Sequence, residues 1–470
     1  MEKSNPDYEF DAYLNAEELS PILCNIALWL PHNADENVVI EIDTPLNNID
    51  GHIGEFVSFE SEIYEENPKF IAEISKARIE HFSATMDMRK LSRNRIKLLH
   101  AFDLRVEEKI NNEHVNDALT NSINFHMSNL SYAEPKVNRC ASYLGARTAD
   151  FRRVYSVTSP DGFTFKIEKH FSSYTKTSEN TEAVSAINVL SVTAENKVNI
   201  DKLDAVQKQV DDFVLLLTFA ARHQVMAIGY EYSTGTKRVR YFKNPTDRYK
   251  ANQEEVTEDA LIPVECFEEF MTAALYQWQK IAPETQKAIK DTIYAIHPFN
   301  NSGQPAYLTM FSAFEALVAL NKTKVKTEIS EKWKDIKKAF LACNEGLEVS
   351  ADVKNYFQEN INSLLYAEKL KTKAEAFLTD KQISVNDLWP IFDNKSLYKI
   401  RNLLAHGNRM NISPVYQVAQ EQLQLLLERV VLILLGFDYN KSTAGINNHG
   451  IRRRYNQQEI KSFQNQITFD

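Results

Sequence analysis

Glycine is scarce in this chain, 12 residues among 470, and proline is little commoner at 14. Long flexible or Pro-rich linkers are therefore excluded. So are the signatures that need clustered glycine: no Gly-rich phosphate loop and no Gly-x-Ser-x-Gly elbow occurs, and a His-Glu-x-x-His pair is also missing. An NTPase, a nucleophile-elbow hydrolase and a zinc protease thus lack a sequence basis. Cysteine is equally sparse. Cys24, Cys140, Cys266 and Cys343 are the four present, too far apart along the chain to suggest a zinc site or a redox pair. Their dispersion fits free thiols in a reducing cytoplasm. Neither a metal nor a cofactor is expected.

No apolar run has the length of a membrane span. The longest, 423–437, is interrupted by Glu428 and Arg429 and falls short of the ~20 residues a span needs. It reads as a buried core helix or a dimer helix. The opening Met1-Glu2-Lys3-Ser4-Asn5 lacks the basic and apolar regions of a signal peptide, so a cytoplasmic location with no membrane partner is expected. Positive charge is not in excess either. A net charge of −10 excludes a bulk electrostatic nucleic-acid binder, yet leaves room for a local basic patch on an acidic body.

What is present is ordinary for a globular protein: 43% hydrophobic and 25% charged residues, with length for two or three domains. Short β-rich runs at 26–31, 38–42 and 51–59 predict strands. Residues 69–82 and 94–119 are expected to be helical. Ser159-Pro160-Asp161-Gly162 predicts a hairpin turn between strands at 153–157 and 163–167. A further strand follows at 187–192, then an apolar helix over 206–222 capped by Arg222-His223, then strands at 225–232 and 237–242. The acidic stretch 252–261 makes a plausible linker. From Pro263 onward the apolar residues recur every three to four positions, predicting helices from 266 to 278 and over 284–296, 305–321, 328–344, 350–378 and 415–436. The fold class is α+β, with a strand-rich first domain at 1–255 and an all-α helical bundle at 256–470.

The most informative stretch is Tyr398-Lys399-Ile400-Arg401-Asn402-Leu403-Leu404-Ala405-His406-Gly407-Asn408. An arginine and a histidine together suffice to cut RNA without a metal. The guanidinium binds phosphate through paired hydrogen bonds and stays charged. The imidazole titrates near neutrality and can move the proton of a ribose 2′-hydroxyl. That oxygen would attack the adjacent phosphate, with Arg401 stabilising the charge that builds. The product would carry a 2′,3′-cyclic phosphate, and DNA would resist. Residues five apart on an ideal helix are rotated by about 140°, so Arg401 and His406 do not share a helix face. Either Gly407 ends the helix and His406 swings back, or two chains pair and each supplies both residues to one composite cleft. Arg-to-His spacings also occur at Arg95 to His100 and Arg93 to His100, where a basic amphipathic helix is the simpler reading. Arg452-Arg453-Arg454 is either an RNA patch or a solvated tail, and Asn408 and Arg409 are either RNA contacts or loop residues.

On these residues the chain resembles HEPN-domain proteins. Arg401-Asn402-Leu403-Leu404-Ala405-His406-Gly407 is similar to the Arg-x4-6-His motif in the form with Asn after the Arg and Gly after the His. Tyr307-Leu308-Thr309-Met310-Phe311-Ser312-Ala313-Phe314-Glu315-Ala316-Leu317 is similar to the preceding helix of the ApeA-like HEPN group. The early Leu28-Trp29-Leu30-Pro31 resembles the N-terminal domain found with that HEPN type in ApeA anti-phage proteins. The resemblance implies a HEPN endoribonuclease that dimerises through its helical domain. It would abort infection by cutting RNA, with tRNA the leading substrate, and a phage-derived activator would act through a sensing N-terminal domain. By carry-over Arg401 and His406 are catalytic and Asn402 helps order the site. Glu315 either orients Arg401 or forms a structural salt bridge. The alternative is a non-catalytic HEPN dimer that binds RNA, nucleotide or a partner protein.

Overall fold

Strands dominate the described chain as far as residue 243, with one long helix at Leu203–Ala221, and helices dominate it after residue 263. The computed structural model describes residues 8–16, 19–29, 39–44, 56–60, 70–85, 93–109, 118–128, 130, 132–133, 137–143, 146–151, 155–176, 181–243, 260–296, 303–320, 332–393, 395–405, 414–446, 455 and 457–466. The chain divides into two units, Met1–Ala260 with Val264–Tyr276, and Leu261–Pro263 with Gln277–Asp470. The class is α+β.

The strands of the first unit are β1 (Tyr8–Ala16), β2 (Leu19–Trp29), β3 (Val39–Thr44), β4 (Phe56–Glu60), β5 (Phe70–Thr85), β6 (Arg93–Lys109), β7 (Leu119–Thr120), β8 (Ile123–Ser128), β9 (Val137–Tyr143), β10 (Ala146–Phe151), β11 (Tyr155–Thr158), β12 (Phe163–Lys176), β13 (Thr181–Ala194), β14 (Val198–Asn199), β15 (Met226–Ser233) and β16 (Lys237–Lys243). Twelve of them form one sheet in the order β11-β12-β13-β8-β15-β16-β6-β3-β2-β1-β4-β5, and β5 returns to pair with β6. The ring β6-β3-β2-β1-β4-β5 is thereby closed. Strand β6 is the junction. One of its edges pairs with β3 at residues 94–98 and with β16 at 103–109, while β5 runs along the other at 93–108. Closure gives every strand of the ring a paired neighbour on both sides.

The helices expected over 69–82 and 94–119 are strands instead, β5 and β6, with 69 and 110–117 outside the described residues. The reason lies in the period. Ile96, Leu98, Phe102, Leu104 and Val106 recur every two residues or a multiple of two. Interspersed lysines, arginines and glutamates imitate the polar face of a helix. Leu104 and Val106 are buried. The correction also disposes of the earlier Arg-to-His pairs. Arg93, Arg95 and His100 all lie on β6, so the amphipathic helix expected there does not form.

The remaining sheet shows the alternation cleanly. Register pairing aligns Phe165, Val192, Ile123, Tyr232 and Val239 in one row across β12, β13, β8, β15 and β16. All five are buried. Helix α1 (Leu203–Ala221) covers this face, with Phe213 stacked on Phe165 at 4.9 Å. The next row, Lys166, Ser191, Asn124, Glu231 and Arg240, is polar and faces the other way. The α1 helix ends as its capping dipeptide implies. Arg222 takes a left-handed φ of 55° and donates its N–H to the Phe219 carbonyl, and His223 is buried with Nδ1 3.0 Å from the Ala221 carbonyl.

Helix α2 (Phe267–Trp278) begins against the strand unit, where Phe267 meets Tyr132 and Tyr155 edge-on. The second unit contains α3 (Pro283–Ile296), α4 (Gln304–Ala319), α5 (Trp333–Glu345), α6 (Ala351–Asp380), α7 (Leu397–Ala405), α8 (Pro414–Leu434) and α9 (Gln457–Gln466). Their bounds follow the periodicity closely. Helix α5 begins at Trp333, after Lys332, and the earlier part of the expected 328–344 helix, 328–331, lies outside the described residues. Helix α8 is buried all round from residue 422 to 432. The apolar run 423–437 is therefore a core helix of its own unit and not a face awaiting a partner. Its two charges are accommodated inside. Glu428 accepts from Gln424 Nε2 at 2.9 Å. Arg429, wholly buried, donates both Nη groups to Asp387 at 2.7 and 2.6 Å and Nε to the Ala444 carbonyl at 2.7 Å. Among the described residues no helix is long and apolar enough to cross a membrane.

Candidate active site

Helix α7 carries Arg401, and its start is fixed by hydrogen bonds. Ser396 is buried and acts as cap: its Oγ accepts from the Lys399 N–H at 3.2 Å, and its carbonyl accepts from the Ile400 N–H at 3.0 Å. Leu397, Ile400 and Leu404 form the buried stripe. Arg401 stands beside that stripe with 29% of its side chain exposed.

Helix α4 supplies the opposing surface. Its buried residues Ala306, Tyr307, Met310, Phe311, Phe314, Leu317 and Val318 leave little of it in water. Tyr307, Phe311 and Glu315 follow at intervals of four and so share one strip. That strip meets α7. Tyr307 Oη donates to the Leu397 carbonyl at 2.8 Å, and the Phe311 ring lies 6.0 Å from that of Tyr398. One turn further, Glu315 Oε2 is 3.5 Å from Arg401 Nη2. The contacts advance in the same direction along both helices. A second tyrosine completes the anchorage: Tyr416 on α8 donates Oη to the Gly303 carbonyl at the start of α4, at 2.6 Å, with its ring 5.6 Å from that of Tyr307. Burial raises both phenols well above their usual range, so they stay protonated donors.

The guanidinium is held on two sides. Nη1 donates to Asn402 Oδ1 at 3.2 Å and Nη2 approaches Glu315. The ion pair is long, and the Glu315 Oε1 atom is buried with no hydrogen-bond partner among the described residues. Such a buried oxygen is costly to leave unsatisfied. Three of the four sequence-derived site residues, Arg401, Asn402 and Glu315, are thus in contact. His406 lies outside the described residues, as do Gly407, Asn408, Arg409 and the basic run 452–454. His297, His32 and His52 also lie outside them. Ala405, the last residue of α7, precedes His406 in the sequence.

Two positions were not singled out from sequence. Tyr307 was quoted only as part of the helix, yet it pins α7 to α4. Ser396 precedes α7 as a cap, and its signal was legible as a serine three residues before Lys399 at a helix start. No protein-family model matches the chain, and no curated protein or solved structure matches it either.

Proposed function

We propose that the chain is a metal-independent endoribonuclease of the HEPN type, a strand-rich regulatory domain joined to a helical catalytic domain, acting in anti-phage defence. Its substrate is RNA, with tRNA first in order, and a homodimer through the helical domain is the active form. A phage-derived component would act as the trigger through the first domain. The observation that carries this is the clamp on Arg401. A partly exposed guanidinium is oriented by Asn402 and Glu315, on a helix whose last described residue, Ala405, immediately precedes the motif's histidine in the sequence. An arginine held at both Nη groups keeps a fixed direction and leaves its remaining edge for a phosphate oxygen. In the reaction His406 would take the 2′-hydroxyl proton. The 2′-oxygen would attack the adjacent phosphorus and the bond to the 5′-oxygen would break, that oxygen taking a proton from water to leave as a 5′-hydroxyl, giving a 2′,3′-cyclic phosphate; His406 would then return its proton to solvent. Arg401 would stabilise the phosphorane charge.

One observation favours the non-catalytic alternative. Glu315 already neutralises Arg401, which is what a structural ion pair between helices would do. The two readings part in a single assay. Purified chain is incubated with total tRNA in EDTA, with and without lysate of phage-infected cells, beside Arg401→Ala and His406→Ala. Discrete fragments with cyclic-phosphate ends are expected, reduced by roughly 100-fold or more in each variant. Cleavage unaffected by both substitutions would remove the catalytic assignment. Binding of RNA without cleavage under either condition would favour the alternative.

A further inference from the structure

Tyr307, Tyr398, Tyr416 and Tyr439 pack among the helices of the second unit, and three of the four spend their hydroxyls on its backbone. Tyr307 Oη donates to the Leu397 carbonyl and Tyr416 Oη to the Gly303 carbonyl, while Tyr439 Oη accepts from the Ser384 N–H at 3.2 Å. Tyr398 differs. Its ring is seated against Phe311 of α4 at 6.0 Å and against Phe392 at 5.7 Å. Yet the residue keeps part of its surface in water, and its hydroxyl makes no hydrogen bond among the described residues. A phenol with a packed body and an uncommitted tip presents one donor from a fixed place.

That place adjoins the Arg401 clamp. Arg401 and Asn402 follow Tyr398 by three and four residues, the two positions that neighbour it along a helix surface, with Cβ atoms about 5–6 Å away. Viewed down α7, Tyr398 falls between them, about 60° from Arg401 and about 40° from Asn402. Helical side chains lean towards the N-terminus, so the Arg401 stem lies over the turn that carries Tyr398. The packing against α4 keeps the same order: Phe311 meets Tyr398, and one turn on Glu315 meets Arg401. Glu315 and Asn402 already occupy two edges of the guanidinium. A phosphodiester has two non-bridging oxygens, and the arginine's remaining edge serves one of them best. The other needs a donor of its own, and a neutral phenol supplies it without adding charge to the clamp.

We infer that Tyr398 is a substrate-contacting residue, its hydroxyl donating to a non-bridging oxygen of the RNA phosphate that Arg401 holds. The hydroxyl keeps its proton; only a hydrogen bond forms, and it strengthens as charge builds on that oxygen. This rests on the nuclease reading and adds a residue to its site. Tyr398 and Arg401 share one helix, so they act together whether His406 comes from the same chain or from its partner.

The experiment compares the full-length wild type with Tyr398→Phe, which keeps the ring between Phe311 and Phe392, so the thermal midpoint should match. On a synthetic RNA carrying the mapped cleavage site, kcat/KM is expected to fall by about 30-fold. The substrate is then remade with each non-bridging oxygen of the scissile phosphate replaced in turn by sulfur, a poor hydrogen-bond acceptor. For one of the two, the wild type should slow and the Tyr398→Phe penalty should shrink to within about threefold, because the contact is already lost. A penalty equally large on both sulfur substrates would mean that Tyr398 acts only through packing, and it overturns the inference. So does cleavage that Tyr398→Phe leaves unchanged, and in both cases the nuclease reading survives. If the wild type binds tRNA without cutting it, the nuclease reading falls; a Kd about fivefold weaker in Tyr398→Phe would then uphold the contact, and an equal Kd would remove it.

Discussion

His126 is a basic residue placed where a proton is unwelcome. It stands on the polar side of the first unit's sheet, one row from Glu231, yet it is only 7% exposed and its ring lies 5.2 Å from that of Phe242. Burial lowers its pKa from 6.5 to about 4, outweighing the pull of the Glu231 carboxylate. Between those two values the unfolded chain binds a proton that the folded chain refuses. Folding stability therefore rises with pH through this window and is lost as pH falls. The loss approaches about 3 kcal/mol at the acid end. Glu231 acts in the same sense. Burial raises its pKa, but Arg238 at 2.9 Å, with His126 and Arg240, brings it below the usual value. Its share of stability is present above the ordinary carboxylate pKa and disappears as pH falls through the depressed one. Urea unfolding at about pH 7 and about pH 4.5 should show a steeper pH dependence for the wild type than for His126→Gln. Equal pH dependence in the two proteins would remove His126 as the source.

At the scale of elements, the second unit depends on how α8 seats its charges. Arg429 is fully buried, and four of its hydrogen bonds tie α8 to Asp387, to the Ser384 carbonyl and to the Ala444 carbonyl. Removal of Asp387 leaves a buried guanidinium without its counter-charge, which costs about 3–5 kcal/mol. Asp387→Ala should lower stability by that amount in denaturant titration. An Arg429→Met, Asp387→Ala double variant should lose markedly less. A loss below about 1 kcal/mol in Asp387→Ala would show that the pair is not what seats the helix. The sequence carried half of this. A polar Glu428-Arg429 inside an apolar run was visible, and the run was read as core or dimer helix; the partner that decides for core lies 42 positions away. Helices α3, α4, α6 and α8 were legible because long periodic segments fix their own faces. Strands β5 and β6 were not, since Glu73 and Lys76 meet Arg105 and Asp103 only through a long-range register. Viewed along one strand, those charges have helical spacing. Only the pairing shows period two. Likewise, Arg401 and Asn402 could be read from adjacency, whereas the approach of Glu315 from 86 positions earlier needed the α4–α7 packing to become a contact.

At the scale of the whole molecule, an acidic chain is proposed to cut an anion. The net charge of −10 repels RNA at long range, so a productive cleft must concentrate its positive charge locally. Two copies of Arg401 and His406 brought together would do that better than one. The motif's geometry bears on the same point. Arg401 projects from α7 beside Glu315, and a residue five positions on leaves an ideal helix about 140° away. A composite cleft, with arginine from one protomer and histidine from its partner, meets this constraint without unwinding the helix end. The arrangement has a distinctive consequence. Mixing inactive Arg401→Ala with inactive His406→Ala produces dimers that contain one intact arginine and one intact histidine on different chains. If the site is shared, random exchange of subunits should restore on the order of a quarter of wild-type cleavage. A mixture as inactive as its parts, under conditions where mixed dimers are shown to form, would place each catalytic pair within one chain. His406 would then have to fold back over Gly407 to reach the phosphate that Arg401 holds.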